Sequence, residues 1–104
     1  MPRRLHWPVL RVVVRGPSMV PTLYPGDQLL VRRTTVVRAG DLVVGRFAAA
    51  PERLVVKRAV RSVDGGWWLV GDNGAGSDDS RRYGPAEVIG RVVWRYWPLV
   101  RKAR

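Results

Sequence analysis

What most limits this chain is how short its apolar runs are. Stretches rich in valine and aromatic residues stand at "LRVVV" (10–14), "QLLVR" (28–32), "LVVGRF" (42–47), "LVVKRAV" (54–60), "WWLV" (67–70) and "GRVVWRYW" (90–97), with Gly-Asp and other turn signals between them. Branched and aromatic side chains fit a pleated, half-buried surface, and runs so brief do not build a long helix, so the pattern predicts an all-β domain. "DGG" at 64–66 separates two of these runs and predicts a hairpin between the strand of Lys57 and the strand of Trp67 and Trp68. "GDQLLVRR" and "GDLVVGRF" are alike, which a shared turn-then-strand grammar explains better than an internal repeat. "PAEVIG", at 85–90, is expected to form at most one helical turn.

A chain of 104 residues predicts one domain over 1–104, with 1–9 and 99–104 as flexible tails. There is no cysteine, which excludes disulfides, thiol nucleophiles and cysteine zinc sites. A single histidine, His6, supports neither a histidine-based triad nor a metal ligand set, so no metal and no cofactor are expected. The net charge of +11 suits an anionic partner, but the arginines are spread over nearly every segment and read as a solvated basic surface; no nucleic-acid partner is expected. No apolar stretch approaches the roughly 20 residues that span a bilayer, and no signal-peptide pattern opens the chain. A soluble, cytoplasmic protein is therefore expected, with at most weak association with a membrane surface.

Three stretches depart from this plain β pattern. In "RGPSMVPTLYPGD" (15–27), Pro17, Pro21 and Pro25 exclude a helix or central strand, and Gly16, Val20 and Tyr24 ahead of them are pushed toward extended conformations. Ser18 thus lies in a stiff loop, which serves either to lower the entropy lost on folding or to hold a nucleophile in place. The second stretch is "LVVKRAV". The chain has 17 arginines and two lysines, and strand alternation puts Val55 and Ala59 on the face of Lys57. Lowering a lysine pKa from about 10.4 to about 7.4 means destabilising its ammonium by roughly 4 kcal/mol, within reach of full burial. Arginine stays protonated in any such setting. Lys57 is then either a neutral base for a serine hydroxyl or a lysine snorkelling from a strand edge. The third stretch, "GDNGAGSDDSRRYGP" (71–85), is too long and polar for a hairpin turn; it is either an exposed loop or a functional one, and an Asp79–Arg81 ion pair would order it.

Together the three resemble a known family. "GPSMVPTLYPGDQLLV" resembles the nucleophile box of type I signal peptidases, "VVKRAV" their lysine box and "GDNGAGSDDSRRYG" their Gly-Asp-Asn…Ser-x-Asp-Ser-Arg box, in matching order over about residues 12 to 94. The resemblance implies the family's coiled all-β catalytic fold in minimal form and a Ser/Lys endopeptidase. It implies Ser18 as nucleophile, Lys57 as general base, Ser77 as the hydroxyl that orients the lysine, and Asp79 with Arg81 as a structural ion pair. Gly16 stands where some members carry a serine that helps the oxyanion, which leaves more of that task to the Ser18 N–H. Ala75 stands at an often acidic position, and the membrane anchor that signal peptidases carry before the nucleophile box is not seen. "SMVPTLYPGD" and "DGGWWLVGDN" are similar to a soluble subgroup, the nickel-type superoxide dismutase maturation proteases. That likeness implies a precursor protein as partner, whose N-terminal extension is removed, with the metal belonging to the substrate. The alternatives are a signal peptidase at the membrane surface, helped by "VVWRYWPLV", and a non-catalytic basic β-module that binds nucleic acid.

Overall fold

The structure, a computed structural model, describes residues 8–74 and 78–99; His6, Ala75, Ser77 and most of the two expected tails lie outside the described residues. The chain forms strands β1 (Val9–Val13), β2 (Gln28–Arg33), β3 (Leu42–Phe47), β4 (Val55–Val63) and β5 (Gly66–Val70), a single helical turn α1 (Ser80–Tyr83), and strand β6 (Ala86–Trp97). All strand pairs are antiparallel, in the order β1-β2-β6-β3-β4-β5, so the domain is all-β as its short runs predict. β5 also returns to β6 through Trp67 and Ala86. β3, β4, β5 and the first half of β6 thereby curl into a small closed barrel, while β1, β2 and the second half of β6 form an open sheet beside it.

β6 makes this division possible. It pairs with β3 over Ala86–Arg91 and with β2 over Gly90–Trp97, so one strand serves both units. At the changeover the backbones come close: a Cβ on Gly90 would lie 2.6 Å from the Arg32 carbonyl oxygen and 2.7 Å from Val31 Cγ1. The expectation of a helical turn at "PAEVIG" is corrected here. Ala86, Val88 and Gly90 are buried and Glu87 is exposed, a period of two that pairing with β3 imposes over the helical preference of Ala and Glu. The helical turn falls earlier, where Asp79 caps α1.

The two similar segments do share a turn. Asp27 N and Asp41 N each donate to the carbonyl three residues back at 3.0 Å, from Tyr24 and Arg38 respectively. Each carboxylate accepts in turn from the N–H of that same residue, at 2.9 Å. The hairpin at "DGG" is also present, with Val63 opposite Gly66 and Gly65 at φ 77°.

Among the described residues two apolar clusters form the core, and β3 feeds both. Val43 packs in the barrel with Phe47, Ala59, Leu69, Ala86 and Val88. Its neighbour Val44 packs on the other side with Val14, Met19, Leu23, Leu29 and Val31. A strand buried on both faces reads as continuous apolar sequence, which is what "LVVG" shows.

The close approach at β6 gives a direct test. Gly90→Ala must push two backbones apart, so it is expected to destabilise the fold by about 2 kcal/mol, as overpacking does. Urea unfolding should show a lower midpoint with an unchanged slope.

Candidate active site

The loop of residues 15–27 is closed at its neck by two backbone bonds, Val14 N to Asp27 O and Gly26 N to Val14 O, both 2.8 Å. Inside it the chain turns twice, with Val20 N on Pro17 O at 3.1 Å and Leu23 N on Met19 O at 2.9 Å. Met19 and Leu23 are driven into the core, so the loop is anchored by apolar burial as well as stiffened by its prolines. Ser18, next to Met19, is half-buried. Gly16 does not follow the extended habit expected ahead of a proline: its φ is 75°, in the left-handed region. On this backbone a side chain at 16 would be strained by about 1–2 kcal/mol, a physical reason for glycine there.

Lys57 sits on β4 opposite Val43 and is only 4% exposed. Burial pushes its ammonium pKa below the ordinary 10.5, with the guanidinium groups of Arg53 and Arg81 acting in the same direction. The carboxylates of Asp79 and Asp78 pull the other way without overcoming desolvation. Ser18 and Lys57 line one cleft of 860 Å³. Residues 12–14 at the end of β1 form one wall and residues 54–56 the other, with Phe47 and Tyr83 also lining it. The two rings pack with centroids 5.2 Å apart.

The stretch after β5 clamps the serine loop to the lysine strand. Asn73 N donates to the Ser18 carbonyl at 2.8 Å and Asn73 Nδ2 to the Pro17 carbonyl at 3.0 Å. Asp72 accepts from Thr22 Oγ1 at 2.5 Å, from Arg58 Nε at 3.2 Å and from Arg58 Nη2 at 2.5 Å, while its N–H reaches Met19 Sδ at 3.4 Å. Arg58 Nη1 also donates to the Gly40 carbonyl at 2.9 Å. Reading the sequence did not single out Asp72, Asn73 or Arg58. The signal was there in "GDN" directly after an apolar run and in the second basic residue of "KR".

Further along, the buried Asp79 carboxylate accepts from Gly71 N at 2.9 Å, from Arg81 N at 3.1 Å, and from Arg81 Nε and Nη2 at 3.0 and 2.8 Å. Ser80 Oγ accepts from Leu69 N at 2.8 Å, which fixes α1 to β5. The structure therefore brings Ser18 and Lys57 to one cleft and places the Asp79–Arg81 pair beside it. Gly16 also lines that cleft; Ser77 lies outside the described residues. Among the described residues there is no cluster of metal-ligating side chains, and no helix is long and apolar enough to cross a membrane.

Comparison with known proteins adds a family to this geometry. The model of the Peptidase S24-like family matches residues 7–93. The chain is 32% identical to the mitochondrial ATP-independent inner membrane protease subunit 1b of Arabidopsis thaliana, over 81% of this chain and 68% of that protein. It is 32% identical to mitochondrial inner membrane protease subunit 1 of Xenopus tropicalis and 30% identical to that of Homo sapiens, in each case over 85% of this chain and 69% of the relative. These relatives overturn one expectation. A cytoplasmic setting was inferred from the lack of a long apolar segment, whereas the relatives are by name inner membrane proteases and point to membrane association. Lacking a spanning run in one stretch of sequence is compatible with work at a bilayer surface.

The Asp72 clamp can be tested through acid stability. Arg58 hydrogen bonds hold the Asp72 carboxyl below its ordinary 3.8; partial burial opposes them, and the Thr22 hydroxyl and Arg58 charge assist. A depressed carboxylate contributes stability that is present above the ordinary value and lost as pH falls through the lowered one. Asp72→Asn is expected to destabilise by about 1–2 kcal/mol at neutral pH. The gap from wild type should close as the pH drops below 3.8, measured by chemical unfolding across the acid range.

Proposed function

The chain belongs to the Peptidase S24-like family, and from that premise we propose that it is a serine endopeptidase with a Ser18–Lys57 dyad that cuts an N-terminal segment from a precursor protein at a membrane surface. The observation that carries the reading is the shared cleft: a half-buried serine on an anchored loop and a desolvated lysine on an apolar strand face one space. Neutral Lys57 takes the proton from Ser18 Oγ as the oxygen attacks the scissile carbonyl, then gives that proton to the departing amine. Water, activated by the same amine, releases the acyl group from Ser18. Negative charge on the carbonyl oxygen is met by the Ser18 N–H, in a loop whose geometry is set before substrate arrives.

The cleft also suggests how the peptide lies. β1 is the terminal strand of the sheet, and its residues 11–13 line the cleft, so an extended substrate can add along this edge. The membrane setting is taken from the names of the relatives. The narrower reading, a nickel superoxide dismutase precursor as substrate, is supported only by the likeness of "SMVPTLYPGD" and "DGGWWLVGDN".

Two tests address the chemistry. Ser18→Ala, Lys57→Ala and Lys57→Arg should each nearly abolish cleavage of a precursor followed by mass spectrometry, and the Ser18/Lys57 double variant should be little worse than either alone. Near wild-type turnover in Lys57→Arg would rule out a neutral amine base. Because the working amine is unprotonated and its pKa is lowered from 10.5, the rate should rise as pH increases through that lowered value, along a one-proton limb. For Ser77 the family resemblance implies a hydroxyl that orients the amine. Ser77→Ala should slow cleavage by roughly 10²-fold to 10⁴-fold, with the pH limb displaced; an unchanged rate would remove that role.

A further inference from the structure

Among the described residues, the open sheet has a second face that neither core cluster covers. Cross-strand partners share a face, so Val9, Arg11 and Val13 of β1 lie with Arg32, Leu30 and Gln28 of β2, and these with Arg91, Trp94 and Trp97 of β6. The other side of the same sheet is filled by Leu10, Val12, Leu29, Val31 and Val92. On the uncovered face Trp94 is 59% exposed and Trp97 53%, and Leu99 just beyond them is 71% exposed. Arg95 bonds the Pro98 carbonyl, tying down the turn that carries Trp97 and Leu99.

The charges beside these apolar groups have one sign. β1, β2 and residues 90–97 of β6 contain Arg11, Arg32, Arg33, Arg91 and Arg95 and no carboxylate. Arg91, opposite Arg32, adds a third guanidinium to Arg11 and Arg32 on this face.

We propose that this face of β1, β2 and β6 is where the protein docks on an anionic phospholipid surface, with Trp94, Trp97 and Leu99 entering the headgroup layer and Arg11, Arg32 and Arg91 meeting lipid phosphates. Tryptophan rings favour that layer because one edge is apolar and the other polar. Guanidinium forks match phosphate oxygens, and each basic side chain near such a surface adds to the attraction. A second copy of the chain is a poor occupant, since a self-complementary pairing would set these arginines against one another with no acid between them. The inference deepens the membrane reading above by naming the surface that would realise it. It does not depend on the dyad.

The test uses the whole protein with phosphatidylglycerol/phosphatidylcholine vesicles and with pure phosphatidylcholine vesicles, without substrate or detergent. Wild type should sediment with the anionic vesicles, at least fivefold more strongly than with the neutral ones, with a blue shift of tryptophan emission. Trp94→Ser/Trp97→Ser should weaken partitioning by about tenfold or more, and Arg32→Glu by about fivefold or more. Both variants should cut a soluble peptide at the wild-type rate, because neither site lines the cleft. That separate assay distinguishes loss of docking from failure of the peptidase reading. The proposal is overturned if wild type stays in the supernatant at low salt, if the variants partition like wild type, or if the same residues instead drive dimerisation or retention on DNA without vesicle binding.

Discussion

The Asp72 carboxylate joins segments that the sequence keeps as far as 50 residues apart. It takes the Thr22 hydroxyl from the serine loop and two Arg58 nitrogens, Nε and Nη2, from the lysine strand, and Arg58 Nη1 reaches on to the Gly40 carbonyl ahead of β3. One charged group thus sets the distance between loop and strand. Asn73 completes the clamp by holding the Pro17 carbonyl, which shares its peptide with the Ser18 N–H, and the Ser18 carbonyl of the next peptide. With the acceptors of two successive peptides fixed in this way, the peptide that carries the Ser18 N–H is held in place, the group the proposed chemistry uses for the oxyanion.

Strand alternation explains how two adjacent basic residues meet opposite fates. Arg58 and Lys57 point to opposite sides of β4. Arg58 finds Asp72 at a part-exposed edge, where its charge is stabilised by charge-assisted hydrogen bonds. Lys57 turns toward Val55, Ala59 and the cleft, where desolvation dominates. The carboxylate that would restore its charge, Asp79, already accepts from Gly71 and from Arg81 through three nitrogens. Arg81 also repels the ammonium, which offsets the attraction of Asp79. The ion pair beside Lys57 therefore orders the backbone around α1, while burial still holds the lysine pKa below its ordinary value.

The strands were legible because short valine runs and Gly-Asp turns act locally, and both turns at Asp27 and Asp41 close on residues only three positions away. The start of β6 was not, since Ala86 and Glu87 favour helix locally and only pairing with β3 decides otherwise. Lys57 stood out in sequence because an arginine-rich chain uses lysine so sparingly. Asp72 did not, because its role depends on Thr22 and Arg58 arriving from distant segments. Gly16 could be read as an absent hydroxyl, whereas its positive φ is visible only in the folded loop. The cytoplasmic setting failed for a related reason: a membrane surface can be met by side chains from three strands, a pattern that a search for one long apolar run does not detect.

The same arrangement relates the cleft to the uncovered sheet face. β1 contributes to both: Arg11, Val12 and Val13 line the cleft, and Val9, Arg11 and Val13 belong to the uncovered face. An edge strand with one side paired to β2 and the other open can guide an extended peptide while its outer residues rest against a surface. If the sheet lies on lipid through β6 and β2, the mouth of the cleft comes to the edge of that contact. A peptide segment leaving the bilayer would then meet β1 before it is fully in water, which lowers the entropy lost in finding the site. The basic charge that looks diffuse along the sequence becomes directional once β1, β2 and β6 are placed side by side.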